Sequence, residues 1–183
     1  PVPDDVKYAG TLAIALAPIA LLSRWAYYLA VILKMGVAAN RLAVVGAAQR
    51  RGEADLVADV LPRLRWFGTA VGALGLFVDL FRIFEVTRVL ASAGTSAIGM
   101  GAFLFGSPWC LGWWIFLVSV LLFGAGVRLA GKSGLGGGGW RLATVAAVLA
   151  VMTPALAGHA WGMEDNRPVA VGADVLHVLG IGV

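Results

Sequence analysis

The chain has 183 residues, of which 60% are hydrophobic and 13% charged, with a mean hydropathy of +0.88. Soluble domains carry about 25% charged residues, so an ordinary water-soluble fold is excluded and a lipid-embedded one is indicated. The net charge of +4 does not signal nucleic acid. Lys and Arg cluster at the ends of apolar runs, as they do in the cytoplasmic loops of membrane proteins. The single cysteine, Cys110, excludes an intramolecular disulfide.

Taken in order, residues 1–21 read as a polar tail, PVPDDVK, followed by an apolar interfacial or re-entrant segment interrupted by Pro18. Roughly 20 apolar residues are needed to cross a bilayer as a helix, and the first stretch that meets this runs over 22–46. Trp25, Tyr27 and Tyr28 stand at its head as interfacial aromatics and Arg41 at its tail. Within 47–65, Leu56, Val57, Val60 and Leu61 recur at helical spacing among charges, which predicts a short helix lying on the surface. A second span covers 64–91, and the uncharged, Gly- and Ser-containing stretch 91–106 reads as a loop. Ser107 and Pro108 supply an N-cap and a first-turn proline for a third span over 108–130. The segment Gly131–Arg141 is flexible by composition. A fourth span over 142–160 is expected to kink at Pro154, and a fifth segment occupies 169–183. The fold class is therefore all-α, a polytopic transmembrane helix bundle of about four full spans and a partial fifth. Because the chain opens at Pro1 and stops inside an apolar segment, it reads as processed or partial.

Orientation follows from the basic residues of the connections. The 41–65 connection holds five and 128–141 holds three, against one each in 88–107 and 159–168. The first two are expected on the cytoplasmic side, and the 159–168 connection outside, together with the N-terminus if 8–23 does not span.

Gly126–Ser133 satisfies the phosphate-loop pattern GxxxxGK[ST]. That loop needs a strand before it and a helix after it; a membrane helix and a glycine run flank it here, so no nucleotide is expected. In the second span Asp79, Arg82, Glu85 and Arg88 recur every three residues and lie near one face, where neighbours can bridge. Either this face lines an ion path inside the bundle, or the helix protrudes and its outer turns are solvated. Lys34 poses the same question in the first span: it pairs with Asp79 or snorkels. No acid/base pair, nucleophilic triad or multi-cysteine pattern argues for an enzyme.

The stretch Gly158–Val183 holds both histidines. Asp174 and His177 fall on one helical face, where the carboxylate can orient the imidazole as a ligand. His159 ends the preceding span. Met152 lies seven residues before it, and Met163 follows it in the loop. Imidazole and thioether together suit copper, particularly Cu(I). The plainer reading is that the histidines are interfacial, hydrogen-bonded to backbone or water. Cys110 reads as small apolar packing.

The pattern GHA at 158–160 followed by Ala173, Asp174 and His177 resembles the copper-resistance CopD family of bacterial inner-membrane proteins, and SRWAYYLAVILKMGVAANRLAVV (23–45) is similar to that family's opening helix. The resemblance covers the front portion of a family member, from about residue 22. It implies copper handling or transport at the cytoplasmic membrane, with His159, Asp174 and His177 at the matching positions and 22–183 as a CopD-like domain. Met152 and Met163 are added on donor chemistry alone. Two other classes stay open: a scaffold subunit that needs partner membrane subunits, and a subunit whose histidines hold haem or a pigment.

Overall fold

A computed structural model describes residues 4–106, 108–132, 136–157 and 167–182, with side chains over 18–106, 110–132, 137–156, 168–177 and 180. The described residues are helical and contain no strand. Helix α1 (Asp4–Asn40) passes through a π-helical turn (Arg41–Val45) into α2 (Gly46–Arg51), and then come α3 (Ala54–Ser92), α4 (Ala97–Gly106), α5 (Pro108–Leu129), α6 (Gly136–Ala157) and α7 (Arg167–Gly182). Among the described residues, four segments are long and apolar enough to cross a membrane: Pro18–Arg51, Ala54–Ser92, Cys110–Leu129 and Gly137–Leu156. The protein is a multi-pass, all-α membrane bundle. At 16 residues, α7 is shorter than a span.

Several boundaries differ from the sequence reading. Residues 4–21 belong to α1 rather than to a tail and a separate segment, and Pro18 sits inside the helix. The expected surface helix and second span are one 39-residue helix that continues through Pro62. Its start is fixed by Gly52, whose positive φ of 74° ends α2 in the left-handed conformation that glycine adopts without strain. The expected loop at 91–106 contains α4. Trp114 Nε1 donates to the Leu104 carbonyl at 2.8 Å, the Cys110 thiol donates to that of Phe103 at 3.1 Å, and Phe105 stacks on Trp114. These contacts dock a ten-residue apolar helix too short to span. Ser107, the expected N-cap, lies outside the described residues.

The glycine run also departs from expectation, because α6 begins within it. A Cβ on Gly139 would fall 2.3 Å from the Ala130 nitrogen and 2.6 Å from the Gly126 carbonyl; one on Gly126 would fall 2.6 Å from the Ala143 nitrogen. The backbones of α5 and α6 therefore touch. In lipid, apolar side chains gain little by leaving one apolar environment for another, and close approach through small residues holds helices together instead. Gly126, the first residue of the phosphate-loop pattern, is thus buried helix packing.

The spans pack in a ring, α1 on α3, α3 on α5, α5 on α6 and α6 on α1. Shared contacts give the direction of each. Tyr27 meets Phe116, Thr153 and Arg82, Lys34 and Val120 flank Gly75, and Val37 and Val127 flank Gly68. Trp140 lies beside Arg41. As numbering rises along α1 and α5 it falls along α3 and α6, so the bundle runs up-down-up-down. Phe77, Phe84, Val118, Leu121, Val145 and Val148 face outward, where lipid covers them.

Candidate functional site: a polar cluster at mid-span

Among the described residues, five polar side chains are buried in the bundle: Ser23, Lys34, Asp79, Ser119 and Thr153. Lys34 and Asp79 are 0% and 1% exposed. Ser119 is the tenth residue of the Cys110–Leu129 span, which puts the cluster near mid-depth. A Lys or Asp at the centre of a membrane helix costs about 2.5–3.5 kcal/mol on insertion scales, so partners are required.

Lys34 has them. Its Nζ donates to Ser119 Oγ at 3.3 Å and lies 3.9 Å from the centroid of the Phe116 ring. The Ser119 hydroxyl in turn donates a hydrogen bond to the Phe116 carbonyl at 2.7 Å. A desolvated cation–π contact contributes about 2 kcal/mol and a hydrogen bond to a charged group about 1.5–3 kcal/mol, comparable to the burial cost. Gly75 lets α3 approach α5 here: a Cβ would sit 3.0 Å from Val120 Cγ2, while Lys34 Cε lies 3.7 Å from the same point.

Asp79 is different. It sits one turn after Gly75 and points inward, but its Oδ2 is buried with no hydrogen-bond partner. No ion pair joins it to Lys34 or Arg82 among the described residues. The expected pairing of Lys34 with Asp79 is therefore replaced by a shared interior without an ion pair, and the ammonium does not snorkel. A buried acceptor without a donor is suited to taking up a proton or a small cation.

Toward one end of the bundle the charged face of α3 opens gradually. Arg82 and Glu85 are half-buried and Arg88 is exposed, so inward lining and solvated outer turns occur on the same face at different depths. The expected i,i+3 bridges do not form among the described residues. Instead the Arg82 guanidinium lies 4.6 Å from the Tyr27 ring and 5.7 Å from that of Trp113.

A second polar thread runs beside it. Pro154 has no N–H, which leaves the Ala150 carbonyl, four residues back, without its helical donor. The Thr153 hydroxyl fills that role at 2.7 Å and accepts a hydrogen bond from the Tyr27 hydroxyl in turn. Membrane helices tolerate proline where such side chains satisfy the freed group. Tyr27 is thus a core residue at 3% exposure, not an interfacial aromatic, whereas Trp25 and Tyr28 are exposed at 67% and 43%. Ser119, Thr153 and Tyr27 were missed as site residues in the sequence. For Ser119 the available signal was a lone hydroxyl in the middle of the 108–130 span; Tyr27 and Thr153 each share their span with another hydroxyl, Tyr28 and Thr144, and carried no such signal.

The proposed metal ligands are placed less completely. His159 and Met163 lie outside the described residues. Met152 is exposed on α6, His177 is exposed on α7, and Asp174, one turn before it, is half-buried. Val175 packs α7 against the core, and α7 contacts α6 and α1. Among the described residues no three His, Cys, Asp or Glu side chains converge. Cys110 is buried against α4, consistent with packing. No protein family, curated protein or solved structure matched this chain.

Proposed function

We propose that this protein moves a proton or small cation across its membrane, with Asp79 as the carboxylate that takes up the ion and Lys34 as the fixed counter-charge held by Ser119 and Phe116. One observation carries the reading: two ionisable side chains are sealed at mid-span with one carboxylate oxygen unpartnered. Ionisable groups inside membranes are rare, and they mark ion and proton paths. Arg82, Glu85 and Arg88 then form the graded approach from one end. Flux into proteoliposomes under an imposed pH gradient tests this. The unmodified chain is expected to carry protons, and Asp79→Asn to lose at least about tenfold of that flux while inserting normally; equal flux in both would overturn the assignment.

A second reading makes copper the transported cargo. It is supported by the similarity to CopD and by one structural fact, that Asp174 and His177 stand one turn apart on α7, which packs on the helix bearing Met152. By the distribution of basic residues, that end faces outward from a bacterial cytoplasmic membrane. Copper titration followed by X-ray absorption is expected to report nitrogen and sulfur donors from His159, His177, Met152 and Met163. Unchanged copper affinity in His159→Ala/His177→Ala would defeat it. A Soret band in the purified protein would favour haem, and a stoichiometric set of co-purifying membrane subunits without metal would favour a scaffold.

A further inference from the structure

At the end of the bundle opposite Arg82, residues 41–65 and 128–141 bring together eight basic and three acidic side chains. Two of the acids are engaged: Asp59 pairs with Arg63 at 2.7 Å and Glu53 with Arg51 at 3.8 Å. Arg41 and Arg65 have no carboxylate partner among the described residues, and the Nε of each is buried without an acceptor. Arg41 opens the π-helical turn, a deformation often found at functional sites. It donates to Gln49 at 3.1 Å and lies 5.8 Å from the Trp140 ring, whose Nε1 is also buried and unpartnered. Arg65 lies against the end of α5 so closely that a Cβ on Gly131 would fall 2.0 Å from its Nη2. Three donors on three helices thus stand at one end without an acceptor.

Beside them is an open cavity of about 510 Å³ between α2 and α3. Val57, Ala58, Leu61 and Pro62 give it an apolar wall, and Gln49, Arg65 and Glu53 give it a polar edge, the Glu53 carboxylate being paired with Arg51. Gln49 is the residue that Arg41 holds, so the edge leads directly to the second arginine.

We infer that this end is a binding site for an anionic glycerophospholipid, whose phosphate accepts from the guanidinium groups of Arg41 and Arg65 while its glycerol and upper acyl chain fill the apolar cavity. A guanidinium presents paired donors that match a phosphate, and basic pockets between membrane helices bind acidic headgroups. The apolar wall selects a lipid over free phosphate. This site is independent of the Asp79 relay.

Native mass spectrometry of the intact chain, with phosphatidylglycerol and phosphatidylcholine in competition, tests the inference. Phosphatidylglycerol is expected to be retained about tenfold or more over phosphatidylcholine and to raise the unfolding temperature. Arg41→Gln/Arg65→Gln should erase the preference, and Arg88→Gln, at the other end, should leave it intact. If the double variant does not fold, Arg65→Lys is read instead, since it keeps the charge and loses the paired donors; a drop of about threefold is expected. No preference in the unmodified chain, its survival in the variants, or equal stabilisation by inorganic phosphate alone would each overturn the assignment.

Discussion

Lys34 and Asp79 share the interior of the bundle and form no ion pair with one another. The ammonium's hydrogen bond and ring contact come from Ser119 and Phe116, so the two charges act on each other across the interior rather than through a direct bond. In the proposed relay, Asp79 changes its ion or proton occupancy beside an ammonium that is held by other groups. That arrangement suits a relay better than a structural salt bridge, in which both partners are consumed by one another.

The coupling between the two groups can be measured by unfolding in detergent. Removing one member of a buried charged pair costs about 3–5 kcal/mol, because the other charge is left uncompensated, whereas replacing both with apolar groups can be nearly neutral. Lys34→Met and Asp79→Leu are each expected to destabilise strongly, and the double variant by clearly less than their sum. Strict additivity would show that the two charges do not interact.

The thread from Tyr27 to Thr153 to Ala150 makes a second test. Thr153→Val removes the donor that serves the proline-freed carbonyl and the acceptor that serves Tyr27, at an expected cost of about 1–3 kcal/mol. Restoring the N–H with Pro154→Ala should shrink that cost, since Ala150 then regains a helical partner. A Thr153→Val penalty of the same size in both backgrounds would contradict the role given to Pro154.

Helix packing through glycine predicts an asymmetry along one short run. Gly139→Ala drives a methyl into the α5 backbone, and a loss well above the usual 1 kcal/mol for a point substitution is expected. Gly137→Ala, where nothing lies within 4 Å, should be neutral or slightly stabilising, because alanine favours the helix. Thermal unfolding of both variants in the same detergent checks this; similar midpoints would show that α5 and α6 do not touch there.

Sidedness is open to labelling with a membrane-impermeant thiol reagent. Arg63→Cys and Arg88→Cys lie at opposite ends of α3, while Cys110 is buried. In sealed vesicles of one orientation, each is expected to react from a different side, with residue 63 on the cytoplasmic face. Reaction of both from the same side would contradict the crossing of α3.

The spans were legible because apolar length alone dictates a membrane helix, and the charge-free run 108–127 needs no partner to be read. Lys34 and Asp79 were visible as charges out of place. Their lack of an ion pair was not, since it depends on Ser119 and Phe116 arriving from α5, a helix distant in sequence. The glycine run misled for a related reason: glycine weakens an isolated helix, and only the touching backbone of α5 turns that weakness into a requirement. α4 escaped notice because its docking donors, Trp114 and Cys110, lie beyond the loop they close. His159 and Met163 stay outside the described residues, so the outer metal set rests on the sequence pattern and on the placement of Asp174 and His177.

Infrared difference spectroscopy on the reconstituted protein tests the relay most directly. When the aqueous pH is stepped on one side of the membrane, a carboxyl stretching band is expected to change as Asp79 exchanges its proton, and to be absent from the Asp79→Asn difference spectrum. A spectrum with no Asp79-dependent band at any pH would show a carboxyl that never trades protons with water, and the proposed ion path would fail.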